Sequence, residues 1–192
     1  GILMSFWPER AQEGAGLERA IEALKTPPKE FVSRWGVLCH DLGPTLGSML
    51  TRLKFPKKRI KSIVNLVSHF HLQADELSET SDLYCAVSSL GALEWEPYVA
   101  FRTCLAEDPT SWALVAEQVS EQRILDGPLS PRDLAVDGST LMKELQLKPS
   151  PVVGHLMDAL LRAVWAEPEL NEKGRLIDLA HTLRADLEIT PQ

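Results

Sequence analysis

LAVDGSTLMKELQLKPSPVVGHLMDALLRAVWAEPELN, residues 134–171, is the stretch that decides the fold. It contains two helical patterns separated by residues 148–151 (KPSP), with Gly138 just ahead of the first pattern and Gly154 in the opening turn of the second. Glycine lets one backbone approach another closely, and proline near a helix start favours the helical conformation. The spacing therefore predicts a helix, a stiff elbow, and a second helix packed close against the first.

Helical periodicity also dominates the rest of the chain, and alternating strand patterns are almost absent. Predicted helices begin near Pro8, Glu30, Thr45, Pro56, Ser81, Trp95 and Asp108, a capping box with a proline lies at residues 130–133, and a last helix covers about 172–187. About ten helices predict an all-α multi-helix bundle with no significant sheet. The turn residues 126–128 (DGP) predict a division into 1–125 and 126–192, two packed sub-bundles.

Composition indicates an ordinary soluble globular protein. Of 192 residues, 44% are hydrophobic and 24% are charged. Apolar runs are too short to span a bilayer, and no secretory signal is apparent, so a cytoplasmic location without a membrane partner is expected. Cys39, Cys85 and Cys104 lie within apolar helical patterns, which predicts buried free thiols in a reducing compartment. Without a CxxC pair, a structural zinc site is not expected.

Charge is distributed unevenly along the chain. The net charge is −7, yet residues 52–61 (RLKFPKKRIK) contain six basic residues and no acid, which leaves −13 on the remainder. A local basic patch on an acidic protein selects polyanions by position. The candidate RNA-binding residues in this basic segment are Arg52, Lys54, Phe55, Lys57, Lys58, Arg59 and Lys61, with Phe55 as a possible stacking surface. A solvated helix face is the alternative interpretation.

The elbow offers a second candidate. A helix that starts at residues 149–151 would direct free backbone N–H groups outward as a phosphate site, with Lys148 beside it. A purely architectural, close-packed elbow is the favoured interpretation, and Lys148 is kept as a candidate RNA-binding residue.

Residues 39–43 (CHDLG) resemble the His-Asp doublet of HD-type helical domains. A metal site of that type needs several ligands, but no histidine precedes His40, and no aspartate occurs near residues 102–104 where the last ligand would be expected. His40 and Asp41 are therefore interpreted as a degenerate HD remnant that hydrogen-bonds within the fold at a helix end. A metal-dependent phosphohydrolase remains the alternative hypothesis.

The elbow pattern resembles the carboxy-terminal region of bacterial class II tRNA nucleotidyltransferases and poly(A) polymerases. The matching residues are Leu134, Gly138, Leu141, Met142, Leu145, Leu147, Pro149, Pro151, Gly154 and Leu156, with Ser150 where the family has glycine. The resemblance implies an RNA-binding helical region with a degenerate HD-like segment. In that family the helical region positions tRNA for an amino-terminal catalytic head. The head adds CCA or part of the CCA sequence to the tRNA 3′ end, or synthesises poly(A).

Catalytic motifs are missing from the sequence. Two-metal nucleotidyl transfer needs paired carboxylates on neighbouring strands, and the chain has no Asp-x-Asp and no P-loop. The chain alone is therefore expected to be catalytically inactive and to need no cofactor, since Mg²⁺ would belong to the catalytic head. A scaffold that has lost RNA binding is a third hypothesis.

Overall fold

The computed structural model describes residues 14–189, with side chains described for residues 16–184. In that range the chain forms α-helices and short 3-10 turns and contains no strand, so the predicted all-α fold is confirmed. The helices are α1 (Gly14–Ala23), α2 (Phe31–Cys39), α3 (Leu46–Arg52), α4 (Lys57–Ser68), α5 (Thr80–Leu90), α6 (Ala92–Leu105), α7 (Pro109–Glu121), α8 (Gly138–Glu144), α9 (Pro151–Ala166) and α10 (Lys173–Ile189).

Most predicted helices are present within a few residues of their predicted ends. The start expected at Pro8 lies outside the described residues. The capping box is a partial exception: Ser130 and Asp133 make both of its reciprocal hydrogen bonds, but they close a 3-10 turn, Pro131–Asp133, and do not open an α-helix. The backbone is extended at Leu134, and the next helix starts only after Asp137, whose carboxylate accepts the Thr140 N–H at 2.7 Å.

The helices divide into two compact units. The first unit comprises the chain up to Ser78 together with Ser89–Val119, and the second comprises Glu79–Ser88 and the chain from Ser120 onward. The sequence places a boundary at residue 126, between an RNA-binding region and an elbow region. This boundary stays a prediction.

The first unit is built around α2, which packs against both α4 and α6. Its contact with α6 is close: a Cβ added to Gly36 would lie 3.1 Å from the Phe101 ring, and the fully buried Ser33 hydroxyl donates to the Pro97 carbonyl at 2.8 Å. On the other side, Cys39, Leu42, Leu46, Met49, Leu50, Ile63 and Val67 form one apolar cluster. Helix α4 is therefore held by its apolar face.

Arg102 of α6 joins three parts of the first unit and is only 5% exposed. Its Nη1 donates to the carbonyl oxygens of Phe70, at 2.5 Å, and of Leu72, just beyond the end of α4. Tyr98, one turn earlier in α6, donates its hydroxyl to the His69 carbonyl at 2.7 Å. The guanidinium also lies over the rings of Phe70 and Trp112, at 4.7 and 4.6 Å. These contacts fix the carboxyl end of α4.

Burial also determines the protonation state of the Tyr98 hydroxyl group. Desolvation raises the pKa of Tyr98 to about 12, although the nearby Arg102 charge and hydrogen bond act in the opposite direction. Tyr98 is therefore a neutral hydrogen-bond donor at any ordinary pH, which suits its bond to the His69 carbonyl.

The elbow of the second unit follows the predicted order of helix, turn and helix. Helix α8 ends in a Schellman turn: the Leu147 N–H bonds to the Met142 carbonyl at 2.8 Å, and Gln146 has a left-handed φ of 53°. Close packing is seen at Gly138, where an added Cβ would lie 3.4 Å from Val153 Cγ1. Gly154 differs from the expectation, because an added Cβ there would meet nothing within 4 Å.

Trp95, Trp112 and Trp165 have helical core spacing in the sequence, which predicts burial, and all three are buried. In the second unit Trp165 stacks on Tyr84 with ring centroids 5.9 Å apart, and its indole N–H donates to the Pro128 carbonyl at 2.8 Å. A Cβ on Gly127 would lie 2.8 Å from Tyr84 Cε1, so this turn needs glycine for lack of space.

The prediction of three buried thiols is wrong. Cys39 is buried, Cys104 is partly exposed, and Cys85 is exposed. Helix α5 buries Leu83 and Val87, and Cys85 lies two residues from each, which places it on the opposite face of a 3.6-residue helix.

We expect Arg102→Met to lower the free energy of unfolding by about 2–5 kcal/mol, because the substitution leaves buried carbonyl groups without a donor. Chemical denaturation measures the change. Arg162→Met, at an exposed position of α9, is the matched control and should change stability by less than about 0.5 kcal/mol. Equal effects of the two substitutions would contradict the assigned role of Arg102.

Two glycine-to-alanine substitutions should change the free energy of unfolding in opposite directions. Gly154→Ala should raise the free energy of unfolding by about 0.5–1 kcal/mol, because the position is helical and open. Gly127→Ala should lower it by about 1–3 kcal/mol, because the new methyl group meets a Tyr84 ring held by stacking. Thermal denaturation compares both variants with the parent chain, and the same sign for both would contradict the described packing.

Candidate nucleic-acid interface

Helix α4 presents two chemically different faces. Ile63, Leu66 and Val67 are buried, whereas Lys57, Lys58, Arg59 and Lys61 are exposed. Two side-chain hydrogen bonds add to the apolar anchoring: Ser62 donates to Glu94 at 2.6 Å, and Asn65 donates to the Leu90 carbonyl at 2.8 Å. The helical spacing of the apolar residues 60, 63, 64 and 67 predicts such a stripe, with Lys57, Lys58 and Lys61 off it, and this arrangement agrees with that prediction.

The amino-terminal end of α4 concentrates positive charge. Lys57, Lys58 and Arg59 fill its first turn, no acidic residue lies there, and Pro56 at the N-cap supplies no side-chain cap. A helix amino terminus already carries a partial positive charge, so basic side chains at this end oppose helix stability. The arrangement creates a strongly positive surface at a local cost in stability.

The turn that precedes α4 adds another exposed cation under backbone strain. Helix α3 ends in a Schellman turn, in which the Phe55 N–H bonds to the Leu50 carbonyl at 3.1 Å and the Lys54 N–H bonds to the Thr51 carbonyl at 2.9 Å. Lys54 occupies the left-handed position of the turn, with φ of 58°, where glycine is the usual residue. Arg52, in the last turn of α3, is also exposed.

Phe55 is only partly available as a stacking surface. It is half-buried and packs edge-on against Trp35, with centroids 4.7 Å apart, and against Phe31 at 5.9 Å. Its ring therefore belongs in part to the apolar cluster under α4.

Phe31 is the aromatic residue that sequence reasoning missed. The helical spacing of Phe31 and Trp35 predicts that Phe31 lies on the inward face of α2. Its side chain is instead 38% exposed and lies beneath the Arg59 guanidinium, 4.3 Å from Cζ to the ring centroid. Its position at the first residue of α2, where a helix has just begun to cover its neighbours, is the signal that could have indicated exposure. Phe31, Arg59 and Phe55 thus form an aromatic and cationic surface beside the basic face.

Lys148 lies apart from the basic segment in the chain and belongs to the second unit. It is exposed in the turn between α8 and α9. Ser150 at the N-cap of α9 supplies no side-chain cap, and its carbonyl accepts the Val153 N–H at 3.1 Å. The assignment of Lys148 to RNA binding stays a prediction.

His40 lies at the carboxyl end of α2, and its Nδ1 contacts the Val37 carbonyl oxygen at 2.9 Å. Its Nδ1 is 4.0 Å from Asp41 Oδ1. The region expected to supply an aspartate, residues 102–104, contains the cation Arg102. Its stacking partner Phe70 also contacts the His40 ring, with ring centroids 5.3 Å apart. Over the described residues, no group of three or more His, Cys, Asp or Glu side chains could hold a metal ion.

His69 and His71 are two residues apart, a spacing that on a helix predicts side chains facing away from each other. Instead they follow the end of α4, and their rings lie nearly parallel with centroids 6.2 Å apart. Each ring nitrogen Nδ1 contacts a backbone carbonyl, of Asn65 at 2.8 Å and of Ser68 at 3.1 Å. The prediction of facing directions is wrong because the helix ends before these residues.

Residues 29–180 match the family model described as tRNA nucleotidyltransferase domain 2, putative. The chain belongs to this family. No curated protein and no solved structure matches the chain. As a tRNA nucleotidyltransferase domain 2 protein, the chain is a region related to tRNA-processing nucleotidyltransferases, and both the basic segment and the elbow lie within the matched residues. None of the described helices combines the length and the apolar character that crossing a membrane requires.

We expect Lys54→Gly to raise the free energy of unfolding by about 1 kcal/mol, because glycine adopts the left-handed position without strain. The same change removes one exposed cation, so it should weaken tRNA binding about threefold at low salt if the basic segment contacts RNA as the sequence predicts. Gln146→Gly is the matched control, since it occupies the equivalent position of the second Schellman turn and carries no charge. It should give a similar gain in stability without any change in binding, and loss of binding in both variants would contradict the assignment.

Proposed function

We propose that this domain binds tRNA through the basic face of α4 and the adjoining turn, and so positions the RNA for a nucleotidyltransferase head outside these 192 residues. The observation that carries the proposal is the exposed cluster of Lys54, Lys57, Lys58, Arg59 and Lys61 on an otherwise acidic domain of this family. Its RNA would be cytoplasmic tRNA, in the course of 3′-end processing such as CCA addition.

The mode of binding follows from the side chains that are exposed. Lys57 and Lys61 are one helical turn apart and lie on the same side of α4, about 5–6 Å apart at Cβ. Side chains of this kind contact phosphates and gain affinity from counterion release, with no readout of base identity. Duplex RNA hides its base edges in a deep groove, so recognition of an RNA stem by backbone and shape suits this surface.

The aromatic part of the surface supports a subsidiary contact. Phe31 is exposed and Phe55 is half-buried beside it, while Arg59 covers one side of Phe31. An unpaired base or a sugar could pack on these rings at the edge of the phosphate-binding face.

The chain alone is proposed to be catalytically inactive. Its function would then depend on a partner segment that supplies paired carboxylates and binds Mg²⁺. His40, the centre of the alternative metal-dependent phosphohydrolase hypothesis, has Arg102 near the place where that hypothesis needs a carboxylate. Repulsion between this buried cation and a divalent metal ion weighs against that alternative.

Charge reversal tests the proposal. The triple variant Lys57→Glu, Lys58→Glu and Lys61→Glu should bind tRNA at least tenfold more weakly, and its plot of log K against log salt should be less steep by about 2–3. Fluorescence anisotropy over a series of salt concentrations measures both quantities. Acidic residues in the first turn favour a helix, so the variant should be at least as stable as the parent, which separates lost binding from lost folding.

The matched control reverses three exposed basic residues of the second unit, Lys143, Arg162 and Lys173, and so makes the same change in net charge. The control should retain most of the affinity. If both triple variants lose affinity equally, binding follows net charge and not the α4 surface. If the parent chain does not bind tRNA at low salt, the domain is a scaffold that has lost RNA binding.

A further inference from the structure

Arg102 carries a buried positive charge that has no ion-pair partner within the described part of the chain. Its Nη1 group donates hydrogen bonds to the carbonyls of Phe70 and Leu72 and to the Tyr98 hydroxyl oxygen, the last at 3.2 Å. All three acceptors are neutral. Among the residues that the structure describes, no carboxylate forms an ion pair with this guanidinium. A buried ion normally has a partner of opposite charge, so an uncompensated guanidinium calls for explanation.

The remaining edge of the same guanidinium has no hydrogen-bond partner. Nε is buried and unpaired, and Nη2 makes no hydrogen bond to any described residue. Nε–H and one Nη2–H point in the same direction and form the edge that grips the two oxygens of a carboxylate or phosphate. A buried N–H group without an acceptor costs about 1–3 kcal/mol, so an oxyanion on this edge would remove a real penalty.

A pocket of about 630 Å³ in the first unit lies against this side chain. Arg102, Arg19, Gln73, Ser111, Phe70 and Trp112 are among the residues that line it. The rings of Phe70 and Trp112 hold the guanidinium at 4.7 and 4.6 Å and keep water from it. Hydrogen bonds to an ion are stronger in such a poorly solvated place than at the surface.

Acidic residues also line this pocket, namely Asp75, Glu107 and Asp108. The Asp108 carboxylate is engaged at the start of α7, where it accepts the Thr110 N–H at 2.9 Å and the Thr110 hydroxyl at 2.6 Å. These negative charges disfavour large polyanions. The occupant that fits both the free arginine edge and the acidic lining is a small oxyanion of low charge.

We propose that this pocket binds a small oxyanion, the phosphate or carboxylate group of a ligand, on the Nε and Nη2 edge of Arg102. The site is distinct from the basic face of α4, and it does not depend on whether that face binds RNA. It would couple a small ligand to the residues that fix the carboxyl end of α4.

The Nε–H group of Arg102 reports binding directly. In a ¹H–¹⁵N NMR titration of the full chain, its signal should shift and saturate as inorganic phosphate or acetate is added at constant ionic strength, and sodium chloride should not have this effect. Saturation with phosphate only, or with acetate only, identifies the ligand class. The signal is assigned by its absence in Arg102→Lys, which keeps the charge but lacks the two-pronged edge.

Two further variants guard against misfolding of Arg102→Lys. Gln73→Glu adds a negative charge to the pocket lining at an exposed position and should weaken anion binding about three- to tenfold. Ser48→Glu adds the same charge at an exposed position of α3 outside the pocket lining, and should leave binding unchanged. The proposal is overturned if the Arg102 Nε–H signal does not move with either anion, or if all exposed arginine signals move with it.

Discussion

The first unit depends on the hydrogen bonds that two side chains of α6 donate to the backbone at the carboxyl end of α4. Arg102 and Tyr98 lie one turn apart and donate hydrogen bonds to three backbone carbonyls just beyond the helix, those of His69, Phe70 and Leu72. The last carbonyls of a helix and the segment beyond it have no partners of their own, and a cation there also favours the helix dipole. With its carboxyl end fixed and one face buried, α4 can tolerate an unfavourable cluster of cations at its amino end.

Two neighbouring features at the amino end of α4 depart from the usual residue preferences of helices and turns. Basic residues occupy the first turn of α4, where acids are preferred, and Lys54 occupies a left-handed position, where glycine is preferred. Neither choice helps the fold. Natural sequences break local rules mainly where function demands it, and here both departures place exposed positive charge in one short segment of an acidic protein.

The helices could be predicted from the sequence because their apolar residues recur with helical spacing, and the exposed basic face of α4 followed from the same pattern. What the pattern could not show was decided by tertiary contacts. Arg102 looks like a surface residue in the sequence, yet its charge is buried because Phe70, Tyr98 and Trp112 happen to converge on it. Phe31 looks apolar and inward, but it lies at the exposed start of α2 under Arg59.

The elbow and the basic segment turn out to share one turn geometry. Helices α3 and α8 both end in a Schellman turn, and the left-handed residue of the turn is Lys54 in one and Gln146 in the other, not glycine. In both turns an apolar residue follows, and a proline comes one or two positions later. Since the same geometry forms with an uncharged residue in the elbow, the turn itself requires no charge. The lysines and arginines around Lys54 are therefore additions to a turn that forms without them, so substitutions can change the charge of this segment without changing its turn geometry.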